Sequence, residues 1–219
     1  VAHAAGAIAV SVTDPTAMGV LRAPGDAGID VAVGEGTALG NALSYGGPSV
    51  GLFATKLELV RQVPGRIAGQ TVDADGRRAF VLTLQAREQH IRREKANSNI
   101  CTNQTLMAIA ATVYLSWLGP EGLEELGRQC VSKAAYAAER LTEVPGVELL
   151  FPGAPFFKEF PLRLPRPADE VLDALIERGY LGGVPLPDAD GHALLVAVTE
   201  RRSREEIDGL ALALKEVLS

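Results

Sequence analysis

The 219-residue chain has only two cysteines, Cys101 and Cys130, and no CxxC pair, which excludes a disulfide scaffold and a cysteine-built zinc site. A reducing, cytoplasmic setting is the expectation. Histidine is equally scarce. His3, His90 and His192 stand far apart, none one helical turn from another or from a cysteine, so no metal site is expected and each is read as a surface or hydrogen-bonded residue. Positive charge is outweighed, with 21 Lys and Arg against 27 Asp and Glu and a net charge of -6, and this argues against duplex nucleic acid as a partner. No helix-like apolar run approaches the roughly 18 to 20 residues that cross a bilayer. The longest, Leu106 to Leu118, is interrupted by Tyr114 and Ser116 and reads as a buried core helix, with no membrane partner implied. No basic segment followed by an apolar one marks a secretion signal at the start. The chain opens at Val1 rather than Met and reaches a strand-like run within ten residues, so a fragment or a processed chain is expected.

What is present, 47% hydrophobic residues in 219, is the composition of a soluble globular protein of one large or two small units. Ala7 to Val12, Asp30 to Val33 and Val50 to Ala54 read as short buried strands, and Gly34 to Gly51 between the last two is too glycine-rich for regular structure. A short helix is expected over Leu57 to Val63, stopped by Pro64-Gly65. Arg66 to Val72 and Arg78 to Thr83 flank Asp73-Ala74-Asp75-Gly76 and predict a hairpin. Leu106, Ala110, Val113 and Trp117 recur at the spacing of one buried helical face, which Gly119-Pro120 ends. Beyond it the pattern predicts a helix over Glu121 to Glu143, strands at Val147 to Phe151 and Phe157 to Leu164, a helix over Ala168 to Arg178, a strand at Ala193 to Val198 and a last helix over Arg204 to Leu218. That order describes a compact α+β unit, with the boundary near Gly119-Pro120. The segment 57–100 is locally basic, with eight basic and five acidic residues.

Gly34-Glu35-Gly36-Thr37-Ala38-Leu39-Gly40 follows a strand, as a dinucleotide loop does, yet Gly46-Gly47-Pro48 leaves no room for the helix whose N-terminus would hold a pyrophosphate. No Gly-Lys-Ser/Thr and no GxSxG occurs, so neither a P-loop nor a nucleophile elbow is indicated. An enzyme that carries its cofactor on a lysine needs that amine deprotonated in the pocket. None of Lys56, Lys95, Lys133, Lys158 and Lys215 lies in the glycine-rich loop; Lys56 is nearest, at the end of the following strand, where a surface role is the simpler reading. The densest cluster is Arg87, Glu88, Gln89, His90, Ile91, Arg92, Arg93, Glu94, Lys95. On a helix Glu88 would face Arg92 and His90 would face Glu94, a solvated, ion-paired surface. The functional alternative is an anion-binding or interface patch, since arginine forks suit carboxylates and phosphates.

Gly34-Glu35-Gly36 with Ser44-Tyr45-Gly46-Gly47-Pro48, Phe53-Ala54-Thr55-Lys56, Arg61-Gln62-Val63-Pro64-Gly65-Arg66-Ile67, and above all Phe80 to Cys101 (FVLTLQAREQHIRREKANSNIC) with Thr102-Asn103-Gln104, closely resemble one family. It is the glycine cleavage system P-protein, in its N-terminal-type (alpha, subunit 1) glycine dehydrogenase (decarboxylating) form, and the likeness covers nearly the whole chain as the C-terminal half of that subunit. The resemblance implies an α/β, fold-type-I transferase architecture, with residues 1–119 as the incomplete end of the large α/β domain and 120–219 as the small α+β C-terminal domain. It implies decarboxylation of glycine on pyridoxal phosphate, with the aminomethyl group passed to the lipoyl arm of H-protein. The cofactor would be bound by a catalytic (subunit 2, beta-type) P-protein chain, and no catalytic residue and no covalent cofactor are expected on this one. The position corresponding to the partner's lysine lies about Thr37, where the family usually has Gln, and Asn41-Ala42 replaces a more usual Ile-Pro. Arg87, His90, Arg92 and Lys95 are expected at the subunit interface or its approach to the active site. Two other readings compete: a self-sufficient enzyme using Lys56, and a non-catalytic interaction module docking through its basic segment.

Overall fold

The computed structural model describes residues 1–96, 104–187 and 190–219. The chain divides into two compact units, the first made of Val1–Pro15 and Arg22–Trp117, the second of Thr16–Leu21 and Leu118–Ser219.

In the first unit, strands β1 (Val10–Val12), β2 (Val31–Glu35) and β3 (Gly51–Thr55) form a sheet in that order. β1 runs parallel to β2, and β3 returns antiparallel, with Val31 opposite Thr55 and Glu35 opposite Gly51. The loop expected between β2 and β3 is there, at the carboxyl end of β2. The helix expected over Leu57 to Val63 is one 3-10 turn, Leu57–Leu59; Pro64 and Gly65 leave too little chain for an α-helix to nucleate. β4 (Ile67–Val72) and β5 (Arg78–Thr83) form the expected hairpin, its turn closed by the Asp73 carboxylate accepting from the backbone N–H groups of Asp75 and Arg77, each at 2.9 Å. After it the charged run is not one helix. A four-residue α1 (Gln89–Arg92) stops at Arg93, whose φ of 54° breaks the spiral, so the expected helical pairing of His90 with Glu94 is lost.

α2 (Thr105–Thr142) spans both units and leaves helical geometry at Gly119 (φ 64°, ψ −176°), after which Pro120 opens the second stretch, a position where its missing N–H costs nothing. The buried face expected on the first stretch is not buried: Leu106, Val113 and Trp117 are 71%, 63% and 83% exposed, and Ala111 is the buried residue. Periodicity identifies an apolar face without locating its cover, and no described residue of this chain covers it. By length and composition alone α2 could cross a membrane. Its apolar stretch, however, ends at Leu118 after about 21 Å of helix against about 30 Å of bilayer core, and Glu121, Glu124, Glu125 and Arg128 follow.

The second unit packs the latter part of α2, α3 (Ala168–Ile176) and α4 (Arg204–Leu218) with a four-stranded antiparallel sheet. Its order is β6 (Glu148–Leu149), β7 (Glu159–Arg163), β9 (Ala193–Ala197), β8 (Val184–Pro185). Alternation places Phe160 opposite Val196 and Leu162 opposite Leu194 on the inner face, where they join Ala134, Ala137, Leu141, Val171, Leu175, Ile207 and Leu214 in one core. Each large side chain so buried contributes about 1.5–3 kcal/mol. α4 begins with a reciprocal cap: the Glu206 N–H donates to Ser203 Oγ at 3.2 Å and the Ser203 N–H donates to Glu206 Oε2 at 2.8 Å.

Candidate functional site

In open α/β sheets ligands sit beyond the carboxyl ends of the strands, which here selects the loop of residues 36–50. It is built by close backbone approach. A Cβ on Gly36 would lie 2.6 Å from Val50 Cγ1, and Leu39 and Val50 are buried beneath. Glu35, the last residue of β2, turns its carboxylate back into the loop. There Oε1 accepts from the Thr37 hydroxyl at 2.6 Å, the Thr37 N–H at 2.9 Å and the Val50 N–H at 3.3 Å. The Thr37 hydroxyl, first among these donors, holds the Glu35 carboxyl below its ordinary range. Asn41 donates from Nδ2 to the Gly36 carbonyl at 3.2 Å, while its Oδ1 is buried with no partner among the described residues. The tip carries Leu43 and Tyr45, both exposed, and Ser44 and Tyr45 both adopt left-handed backbone.

Lys56 lies at the other end of the sheet. Because β3 runs back against β2, its end meets the start of β2, about 17 Å of strand away from the loop. There the Asp30 carboxylate accepts from Lys56 Nζ at 2.6 Å, bonds His3 Nε2 at 2.7 Å and accepts the Ala9 N–H at 2.7 Å. The Asp30 carbonyl takes the Thr55 hydroxyl and the Lys56 N–H. The Ala9 N–H first, then Lys56 and His3, hold the Asp30 carboxyl far below its ordinary value, and Asp30 in turn raises the Lys56 amine. Lys56 is thus a protonated clamp at the wrong end of the sheet, which corrects the reading that made it a cofactor-bearing lysine.

This clamp has a defined pH window. Asp30 contributes in full above the ordinary carboxylate value of 3.8 and its contribution fades as pH falls through the lowered one; Lys56 contributes in full below its ordinary 10.5 and fades as pH rises through its raised value. The stability difference between the native protein and Asp30→Asn, followed by urea melts, is therefore expected to stay level across neutral pH and to shrink at both extremes. A difference that kept its full neutral-pH size at pH 2, well below the ordinary carboxylate value, would contradict the clamp.

His90, Arg92 and Lys95 are exposed on the short segments that follow the hairpin, and the side chain of Arg87 and all of residues 97–103 lie outside the described parts. His192 bonds the Leu164 carbonyl at 3.0 Å. No group of three His, Cys, Asp or Glu among the described residues is arranged to hold a metal. Glu35 and the Asp30 clamp went unrecognised in the sequence. Asp30 is 27 residues from His3 and 26 from Lys56, and nothing local announces such pairs.

The residues at the loop do not fit covalent pyridoxal phosphate. No lysine occurs there, the Thr37 donors are already taken, and the Glu35 carboxylate sets a negative charge where a cofactor phosphate would need donors.

The architecture is that of the fold-type-I pyridoxal-phosphate-dependent transferases. The cysteine desulfurase CsdA of Escherichia coli superposes with a TM-score of 0.62 at 17% identity, over 99% of this chain and 53% of its own. Within that class residues 1–214 match the glycine cleavage system P-protein family, and the chain belongs to it. The probable glycine dehydrogenase (decarboxylating) subunit 1 of Moorella thermoacetica is 52% identical over 222 residues, covering 100% of this chain and 50% of the relative. A crystal structure of glycine decarboxylase (P-protein) of the glycine cleavage system in inhibitor-bound form is 50% identical with a TM-score of 0.93, over 99% of this chain and 49% of that one. The chain thus spans about half the length of the curated relatives it matches.

Proposed function

We propose that this chain acts within subunit 1 of a glycine dehydrogenase (decarboxylating), as the supporting partner of a catalytic P-protein chain. The observation that carries the reading is the lysine-free, Glu35-closed loop in a chain about half identical to subunit 1 proteins. In this reading the companion subunit binds pyridoxal phosphate, which supplies the electron sink for glycine decarboxylation, and lipoylated H-protein receives the aminomethyl group in the cytoplasm. Residues 1–119 are the end of the large domain and 120–219 the small one. The basic residues Arg87, His90, Arg92 and Lys95 line the interface or its approach to the active site; the exposure of the last three suits them to meet a partner. Glu35 and Asp30 hold the two ends of β2 and so fix the loop for assembly rather than for chemistry.

Pyridoxal phosphate incubation, borohydride reduction and peptide mapping, with and without the companion subunit, test this directly. The expected result is no specific label on this chain and one labelled lysine on its companion. Stoichiometric labelling of Lys56 in the lone chain would overturn it.

A further inference from the structure

Three Asp-Gly pairs occur in the chain, Asp75-Gly76, Asp190-Gly191 and Asp208-Gly209. Glycine has no Cβ to hinder the approach of its nitrogen to the preceding carboxyl carbon. The first two pairs end the same tetrapeptide, Asp-Ala-Asp-Gly, at 73–76 and 188–191, so their surroundings rather than their local sequence must distinguish them. Asp208-Gly209 is locked inside α4. The Asp208 carboxylate takes the Tyr136 hydroxyl at 2.7 Å and Arg140 Nε at 2.8 Å, and a Cβ on Gly209 would lie 2.3 Å from the Tyr180 hydroxyl. Asp190-Gly191 is tied at both residues: Arg163 Nη1 donates to Asp190 Oδ2 at 2.7 Å, and the Gly191 carbonyl accepts the Ala168 N–H at 2.9 Å. Asp75-Gly76, in the turn of the β4–β5 hairpin, is held through its backbone. Asp73 Oδ1 takes the Asp75 N–H at 2.9 Å and the Asp73 carbonyl takes the Gly76 N–H at 3.0 Å. The Asp75 side chain is 68% exposed, its carboxylate meets only Arg77 among the described residues, at 3.6 Å, and nothing lies within 4 Å of where a Gly76 Cβ would stand. One exposed turn bond therefore restrains the Gly76 nitrogen, and bonds of that kind open locally at little cost.

We infer that Asp75 is a modification site, at which aspartate converts spontaneously to isoaspartate. The Gly76 nitrogen attacks Asp75 Cγ; a C–N bond forms, and the amide hydrogen leaves with the carboxyl hydroxyl as one water. The five-membered imide then takes up one water at either carbonyl. One opening returns aspartate, and the other leaves isoaspartate, with the main chain running through the former side chain. One water is lost and one regained, so the change needs no oxidant and no co-reactant. Isoaspartate puts one more carbon into the main chain of the turn, and Asp73 Oδ1 can then no longer bridge the N–H groups of Asp75 and Arg77. The two strands, whose Val72, Phe80, Val81 and Leu82 are between 48% and 68% exposed, lose the turn that pairs them.

The test is to age the complete subunit at neutral pH, alone and with its companion, and to map its peptides by electron-transfer fragmentation, which tells isoaspartate from aspartate. Isoaspartate is expected to accumulate roughly tenfold or more faster at Asp75 than at Asp208, whose helix must open before its amide can react. Asp190, with the same local sequence but a held carboxylate, should stay with Asp208. Methyl transfer from S-adenosylmethionine by an isoaspartate-specific methyltransferase gives an independent count of the modified groups. Asp75→Glu, which would have to close a six-membered ring, should abolish the signal at that position and melt with the native protein. A subunit in which Asp75 ages no faster than Asp190 and Asp208, or an Asp75→Glu variant with an unchanged methyl count, would overturn the proposal. Neither result bears on the subunit reading, which the cofactor labelling tests separately.

Discussion

Phe160→Ala is expected to destabilise the second unit by about 3–5 kcal/mol, the cost of emptying a site the size of an aromatic ring in a packed core. Phe160 is 0% exposed, lies opposite Val196, and packs its ring 5.2 Å from that of Phe156. For a unit of this size the melting temperature should fall by more than about 12 °C. Phe151→Ala, at a position 62% exposed, should stay within about 0.5 kcal/mol of the native protein. A small effect at Phe160 would mean that β7 and β9 do not share the inner face described above.

Gly40→Val is the counterpart in the first unit. Gly40 has φ of +80°, and a Cβ there would fall 2.8–3.0 Å from three carbons of Tyr114. A β-branched residue thus meets a backbone penalty of about 1–2 kcal/mol and a packing penalty of about 1–3 kcal/mol together. Urea melts of the first unit should show a loss of about 2–5 kcal/mol by the addition of these two effects. Adding Tyr114→Ala should relieve the steric part and leave the backbone part, so the double variant separates the two causes. If the double variant were no better than Gly40→Val, Tyr114 would not be what holds the loop.

The α+β unit was readable because its signals are local and redundant. Gly119-Pro120 marks a break, Pro145-Gly146 ends α2, and the alternation at Phe160, Leu162 and Leu194, Val196 fixes the inner face. β8, two residues with no period, left no trace. The glycine-rich loop was recognisable as a loop, and its lack of lysine is plain in the sequence itself. Its closure by Glu35 was not, because a carboxylate at a strand end has many possible partners. The apolar face of Leu106, Val113 and Trp117 was visible as a face, but an amphipathic pattern says only that something covers it. In the charged run Arg93 adopts a backbone that residue type rarely takes, so a propensity argument could not anticipate that the helix would stop there.

The hairpin also has a place in the order of events. Five residues separate its strands, whereas the Asp30 clamp must close segments of 21 to 27 residues before any of its bonds form. Local ribbons of this kind close in about 1–10 μs, and non-local contacts wait on the slower search for loop closure. The apolar ribbon is therefore expected to exist before the sheet beside it is clamped. When the complete chain refolds, that makes it the first part of this unit to present a formed apolar surface, and so the first part exposed to the wrong neighbour.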